Sequence, residues 1–399
     1  MLEIIGVPQL RGSFKSILIR MGQENSIPPL GSTNCLTFPE FGDFTLNPKR
    51  KDQMPIYFIF QRPTFTVLFS AFLLSSVPSY SQEQSASNTK PDALDFYAEG
   101  VNYSSQEKWR KAIEKYDKAI ALNPQFAKAL NNRGLAKKEI GLLNEAILDF
   151  NRSIRMDPKD AFTSNNRGLC RYLQGDLQSA ILDFSQAIRK DSKFAKALSN
   201  RGVTYSDLGQ LEKALVDLNQ AIKLDPRFAE ALNHRGSVYT NRAEFNKAIN
   251  DFEKSIQFAP NNPAPLTNLG VVHYRLQDFE KAIKWHSDAI RINPNYAIAY
   301  NNRGNAYQSV NKWDEAIKDF DSAIRINADY ALAYNNRGIA YAINGRPEKA
   351  IRDFTEAIRI NPKDGRAHFN RGLTYKNLKD KSKADADFAT AKRLGFIVR

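Results

Sequence analysis

From Ala127 to Asp160 the chain reads AKALNNRGLAKKEIGLLNEAILDFNRSIRMDPKD, and in steps of 34 residues this stretch finds itself again. Gly134 recurs as Gly100, Gly168, Gly202, Gly236, Gly270, Gly304, Gly338 and Gly372. Ala146 recurs as Ala112, Ala180, Ala214, Ala248, Ala282, Ala316, Ala350 and Ala384. Self-similarity at a fixed period outranks local propensity, because it decides the architecture. Nine units fit between Ala93 and Val398: 93–126, 127–160, 161–194, 195–228, 229–262, 263–296, 297–330, 331–364 and 365–398. A unit that packs only on its neighbours lets 399 residues form one array rather than two or three domains.

Each unit reads as two helices. The first carries the glycine near its middle, and a turn marked by Gly141, Gly175, Gly209 and Gly345 follows in four units. Glycine suits the left-handed conformation that ends a helix. The second helix opens on a large residue such as Trp109, Leu143, Leu177, Phe245 or Trp313. Along it, Ala146, Phe150 and Ile154 fall at i, i+4 and i+8 and form one apolar stripe. Pro124, Pro158, Pro226, Pro260, Pro294 and Pro362 then stop it, since proline cannot continue a helix.

This period, with Gly134, Ala146, Phe150, Ser153 and Pro158 at their places in the unit, resembles the tetratricopeptide repeat family. Tyr103, Tyr205, Tyr239, Tyr307, Tyr341 and Tyr375 add a further position of that pattern. The resemblance covers about three quarters of the chain, in nine copies. It implies an all-α fold, a right-handed α-solenoid of helix-turn-helix units. The first helices of such a superhelix line a concave groove that takes a peptide or protein partner.

Where the family usually has leucine before the glycine, this chain has Arg133, Arg167, Arg201, Arg235, Arg303, Arg337 and Arg371. Sixteen residues on stand Asp149, Asp183, Asp217, Asp251, Asp319, Asp353 and Asp387. In the first unit the pair reverses to Glu99 and Lys115, and in the sixth it becomes Leu269 and Trp285. Positions that change together across internal copies are expected to touch. We therefore expect a structural ion pair between the two helices of a unit, semi-buried and hydrogen-bonded.

The residue before each arginine is Asn132, Asn166, Asn200, His234, Asn302, Asn336 or Asn370, and Asn268 precedes Leu269. Asparagine is a mediocre helix former, so such a row needs a reason. A carboxamide donates and accepts, and can pair with the backbone of an extended peptide whatever its sequence. The row is similar to the asparagine ladder in the tetratricopeptide superhelix of the O-linked N-acetylglucosamine transferases. The alternative is that these amides bond neighbouring units and hold the stack together. The carboxylate clamp of co-chaperone units is absent, because its lysine position holds Tyr97, Asn131, Asn165, Ser199, Asn233, Thr267, Asn301, Asn335 and Phe369.

The sixth unit departs most, with Pro263, Pro265, Leu269, His273, Trp285 and His286. It reads as a local specificity site, a change of pitch or ordinary drift. At the end of the array no polar helix caps the last unit, so Phe388, Leu394 and Phe396 are expected to be partly exposed and to offer a self-association edge.

The formal charge is +14, but Lys and Arg are spread through every unit without a run of five, which argues against a nucleic-acid groove. Cys35 and Cys170 form no CxxC, the four histidines have no metal-ligand spacing, and no nucleophile–base pair or phosphate loop stands outside the repeats. We expect no enzyme, no cofactor and no metal.

Ahead of the array, residues 1–53 lack periodicity, and residues 54–81 read as a secretory signal. Arg62 precedes the apolar run Phe65–Val77, which is shorter than the roughly 20 residues that span a bilayer. Cleavage after Ser81 would place the protein in a periplasm, a thylakoid lumen or outside the cell, and an uncleaved segment would tether it to a membrane. Met54 is the expected true start; a bipartite targeting sequence is disfavoured by Glu3, Glu24, Glu40 and Asp43. Residues 82–92 form a polar linker. The sequence thus describes an exported scaffold for a protein or extended peptide, with a membrane-tethered assembly factor of a photosynthetic or envelope complex as the alternative and nucleic-acid binding as the weaker one.

Overall fold

The structure is a computed structural model that describes residues 91–396. The leader, signal and start-site readings therefore lie outside the described residues, as does nearly all of the linker. Those described fall in two compact units, 91–238 and 239–396.

The first unit holds α1 (Ala93–Ser105), α2 (Trp109–Leu122), α3 (Ala127–Glu139), α4 (Leu143–Met156), α5 (Ala161–Leu173), α6 (Leu177–Lys190), α7 (Ala195–Asp207) and α8 (Leu211–Leu224). α9 (Ala229–Asn241) runs across the boundary. The second unit holds α10 (Phe245–Phe258), α11 (Pro263–Arg275), α12 (Phe279–Ile292), α13 (Ala297–Ser309), α14 (Trp313–Ile326), α15 (Ala331–Ile343), α16 (Pro347–Ile360), α17 (Gly365–Asn377) and α18 (Lys381–Arg393). No strand occurs among the described residues. The fold is an α-solenoid of helix pairs in tandem.

The small–aromatic couple sets the packing inside each repeat. The recurrent alanines of the second helices, from Ala112 to Ala384, are fully or almost fully buried. One turn on, Tyr116, Phe150, Phe184, Phe252, Phe320 and Phe354 are completely buried. Tyr116, Phe150, Phe184, Phe320 and Phe354 each close on the glycine of the partner helix: a Cβ on Gly134 would stand 2.7 Å from Phe150, and one on Gly304 2.7 Å from Phe320. The glycine is what lets the ring in. Burying such a ring contributes roughly 1.5–3 kcal/mol in each repeat that has one.

The turn between the two helices has one conformation throughout. Gly141, Gly175, Gly209 and Gly345 have φ of 73–81°, and Glu107, Ala243, Gln277, Asn311 and Lys379 adopt the same left-handed region at φ 56–63°. The residue after the turn donates its N–H back five residues, as Leu142 does to the Lys137 carbonyl at 2.9 Å. The second helices end at the same place with or without proline: α6 and α14 stop before Asp191 and Asn327, where the following residues are Ser192 and Ala328.

From α1 to α8, and again from α10 to α18, each helix packs on the next in the chain. First helices also meet the next first helices (α1 with α3, α3 with α5, α5 with α7; α11 with α13, α13 with α15, α15 with α17), whereas among the described residues no second helix meets another. Each unit therefore closes along its row of first helices and opens along its row of second helices.

Candidate functional site

The row of first helices carries the asparagines. Six residues of the row, Asn132, Asn166, Asn200, His234, Asn336 and Asn370, bond the residue at the fifth place of the preceding repeat, 35 positions back. Asn132 donates Nδ2–H to the Tyr97 hydroxyl at 3.1 Å, Asn166 to Asn131 Oδ1 at 3.1 Å, and Asn200 to Asn165 Oδ1 at 2.9 Å. His234 Nδ1 shares the rung with Ser199 Oγ at 3.1 Å. In the second unit Asn336 donates to Asn301 at 3.0 Å and Asn370 to Asn335 at 2.9 Å. Asn301 donates to Asn302 Oδ1 at 3.3 Å. The row is thus a hydrogen-bonded seam between repeats, which gives the helix-disfavouring asparagines a structural reason.

Burial separates the rungs into two kinds. Asn302, Asn336 and Asn370 are fully buried, and the Asn336 and Asn370 Oδ1 atoms and Asn335 Nδ2 have no hydrogen-bond partner among the described residues. Asn132, Asn166, Asn200, His234 and Asn268 are only half-buried. A second, parallel lane runs closer to the helix ends, again between residues 35 apart. The Tyr172 hydroxyl donates to Asp207 Oδ2 at 2.6 Å, and Ser309 Oγ to the Tyr274 hydroxyl at 3.0 Å. Asp207 has its other oxygen buried and unbonded, and burial pushes its pKa up to about 7 against the Tyr172 bond.

The arginines and aspartates meet inside each repeat. Arg201 reaches Asp217 at 2.7 and 2.8 Å, Arg303 reaches Asp319 at 2.7 and 2.7 Å, and Arg337 reaches Asp353 at 2.8 and 2.7 Å. Arg371 reaches Asp387 at 2.8 and 2.9 Å, and Arg167 and Arg133 hold Asp183 and Asp149 in the same fork. Arg235 and Asp251 fall in different compact units. In the first repeat Lys115 pairs with Glu99, and in the sixth Leu269 and Trp285 share an apolar cluster with Phe252.

Sequence reasoning missed the third arm of the fork. Arginine Nη1 points backward to the preceding repeat, sixteen residues upstream: Arg133 to Asp117 at 2.6 Å, Arg167 to Asn151 at 2.7 Å, Arg201 to Ser185 at 3.0 Å and Arg235 to Asn219 at 2.8 Å. Arg303, Arg337 and Arg371 use Ser287, Asp321 and Thr355 in the same way. Those acceptors share one place in the unit and are always Asp, Asn, Ser or Thr ahead of an arginine, which is the signal that would have found them. Also missed were the lysines over tyrosine rings, at 5.3–5.8 Å in Lys111/Tyr103, Lys213/Tyr205, Lys247/Tyr239, Lys349/Tyr341 and Lys383/Tyr375. Where the tyrosine becomes Lys137, the lysine becomes Glu145, and the two pair at 3.4 Å.

In the sixth repeat His286 occupies the place of the core aromatic, fully buried against Gly270 with both ring nitrogens unbonded. Burial, with Arg303 adding repulsion, lowers its pKa to about 3. Cys170 is buried and its thiol is raised to about 12 by desolvation, far from a reactive thiolate. At the end of the array Phe388 and Phe396 both pack on Phe369, with ring centroids at 5.3 Å, because the chain turns back at Gly395 (φ 84°). These rings and Leu394 are half-buried, in keeping with the partial exposure expected of them.

Tetratricopeptide repeat profiles match residues 127–160, 195–228, 229–262, 297–330, 331–364 and 365–394, and TPR repeat profiles match 100–141 and 274–311. Together they take in more than half of the chain. It belongs to the tetratricopeptide repeat family. Among solved structures, one neighbour is the APC/C hetero-tetramer Cut9–Hcn1, at 18% identity and TM-score 0.55. The alignment covers 70% of this chain and 55% of that one, so this chain spans about half the length of that neighbour. A tetratricopeptide repeat protein from Parabacteroides merdae ATCC 43184 is 23% identical with TM-score 0.52, over 62% of this chain and 98% of that one. At such identities the likeness is one of fold. No curated protein matches the chain as a relative. Tetratricopeptide arrays are in general non-catalytic scaffolds for protein–protein interaction, and this chain has that architecture.

Proposed function

We propose that this protein is a non-enzymatic scaffold that binds an extended peptide segment of a partner protein along its first helices. The supporting observation is the state of Asn166 and Asn200. Each is half-buried, and each spends one N–H on the seam to the preceding repeat. That bond fixes the amide plane and leaves one N–H and one C=O, the complement of a peptide group. The same chemistry does not extend to Asn302, Asn336 and Asn370, whose amides lie inside the seam. The groove reading therefore narrows to the first unit, Asn132 to Asn200, with His234 as its continuation.

The test is paired affinity purification with the full chain and with Asn166→Ala/Asn200→Ala, both checked by circular dichroism. A partner captured by the first and lost by the second supports the reading; undiminished capture rejects it. We further propose export, on the apolar run Phe65–Val77 alone, with cleavage after Ser81. N-terminal sequencing of the mature protein decides between a cleaved signal and a retained membrane tether, the arrangement of the assembly-factor alternative.

A further inference from the structure

We propose a second docking surface, on the row of second helices of the first unit, for an acidic amphipathic segment of a partner protein. Its apolar anchors are Leu148 on α4, Leu182 on α6 and Val216 on α8, which occupy the same place in three consecutive repeats. They are 62%, 67% and 68% exposed, among the most exposed large apolar side chains of the described residues. The chain supplies its own comparison. In the other six repeats the place holds Glu114, Asn250, Lys284, Lys318, Arg352 and Ala386, as a solvated helix face should. Single exposed leucines need no explanation, but three in register on consecutive second helices form a row.

Charge names the occupant. Two turns further along the same face stand Arg155, Arg189 and Lys223, exposed and without a carboxylate or hydrogen-bond partner among the described residues. At this place in two later repeats the arginine is paired on its own helix, Arg291 with Asp288 at 3.2 Å and Arg359 with Glu356 at 2.7 Å. In the three repeats with apolar anchors the corresponding residues are Arg152, Gln186 and Gln220, so no acid neutralises the cations. An apolar row beside an unneutralised cationic row is complementary to a helix with apolar residues on one face and acids along its flank. An anionic bilayer shares part of this chemistry. The anchors are aliphatic, though, with no Trp, Tyr or Phe among them to seat in a headgroup layer, which favours the protein segment.

The test uses the full chain and a fluorescein-labelled synthetic peptide of about 20 residues, ~30 Å long when helical. It carries Leu at i, i+3, i+4 and i+7 and Glu along one flank; a scrambled peptide of the same composition is the control. Fluorescence anisotropy should show saturable binding of the amphipathic peptide. The triple variant Leu148→Ser/Leu182→Ser/Val216→Ser and the charge variant Arg155→Glu/Arg189→Glu should each weaken it about tenfold or more. Asn166→Ala/Asn200→Ala should leave it unchanged, which separates this surface from the groove. All these side chains are solvent-exposed or half-exposed, and circular dichroism verifies the fold of each variant. Absence of saturable binding, equal binding of the scrambled peptide, or indifference to both surface variants would overturn the proposal. So would stripe-dependent co-sedimentation with phosphatidylserine/phosphatidylcholine vesicles in the absence of peptide binding, which would assign the row to a membrane.

Discussion

Arg201 holds Asp217 across the two helices of its repeat by parallel hydrogen bonds of 2.7 and 2.8 Å, and with its third nitrogen it reaches Ser185 of the repeat before at 3.0 Å. One guanidinium therefore closes a repeat and stitches it to its neighbour. Asp217 is buried, and its hydrogen bond keeps the arginine above its ordinary pKa against the opposing effect of burial. Removing Arg201 alone strands a desolvated carboxylate, so Arg201→Ala should destabilise by about 3–5 kcal/mol. Arg201→Met/Asp217→Leu should cost much less than the sum of its single changes. Urea midpoints for the two singles and the double give the coupling energy; a value near zero would deny the pair any joint role. Arg201→Lys should behave more like the alanine variant than like wild type, because an ammonium cannot supply the fork.

The inter-helix turn yields a prediction of opposite sign. Ala243 and Lys379 sit at φ 57° and 63°, where an L side chain crowds its own carbonyl, while Gly175 makes the same turn at φ 80° without that penalty. The left-handed conformation costs a non-glycine residue roughly 1–2 kcal/mol, offset in part by glycine's greater unfolded-state entropy of about 0.4–1 kcal/mol. Ala243→Gly and Lys379→Gly should each stabilise by about 0.5–1 kcal/mol, and Gly175→Ala should destabilise by a similar amount. A rise in the urea midpoint without a change of slope for the first two is the result to look for.

The contrast between these positions shows what could be read in advance. The period and the Arg–Asp pairs were legible because nine internal copies act as an alignment, in which positions that change together declare a contact; the packing of Phe150 on Gly134 was not read, although both positions recur. The left-handed turn was legible only at its four glycines; Glu107, Gln277 and Asn311 adopt it because the helices on either side dictate it. The asparagine row was legible as a row but not as a direction. Its partners stand 35 residues back, one more than the period, and their identities vary through Tyr97, Asn131 and Ser199, so no covariation marked them. Whether an amide points to solvent or into the seam depends on how closely two first helices approach, which no single unit encodes.

His286 makes the sixth repeat acid-sensitive. The imidazole fills a phenylalanine's place with two unbonded nitrogens, and its pKa is lowered from 6.5 to about 3 by burial. Between those values the unfolded chain holds the proton and the folded chain does not. Stability is therefore fully present above pH 6.5 and falls as pH drops toward 3, by up to about 1.4 kcal/mol per pH unit. His286→Phe should remove that slope and add about 1–3 kcal/mol at neutral pH, by replacing unsatisfied polar atoms with a ring that the Gly270 hollow accepts. Denaturant midpoints for both proteins at pH 5 and pH 8 measure the two effects separately.

Asp207 should act in the reverse sense. Its carboxyl accepts the Tyr172 hydroxyl at 2.6 Å, its second oxygen is buried without a partner, and its pKa is raised from 3.8 to about 7 by desolvation. Here the folded chain holds the proton between the two values. The favourable contribution is complete below pH 3.8 and is lost as pH rises through 7, where a charge must form in a poorly solvated place. Asp207→Asn should therefore stabilise the protein at pH 8 and by progressively less as pH falls toward 3.8, since the amide keeps an acceptor for Tyr172 and never ionises. Tyr172→Phe should destabilise at every pH, and most above pH 7, where it removes the one hydrogen bond the carboxylate has among the described residues. Urea midpoints across pH 5–9 for wild type and both variants provide the check: if wild type and Asp207→Asn run parallel over that range, Asp207 titrates as an ordinary surface carboxylate and the buried site is wrong.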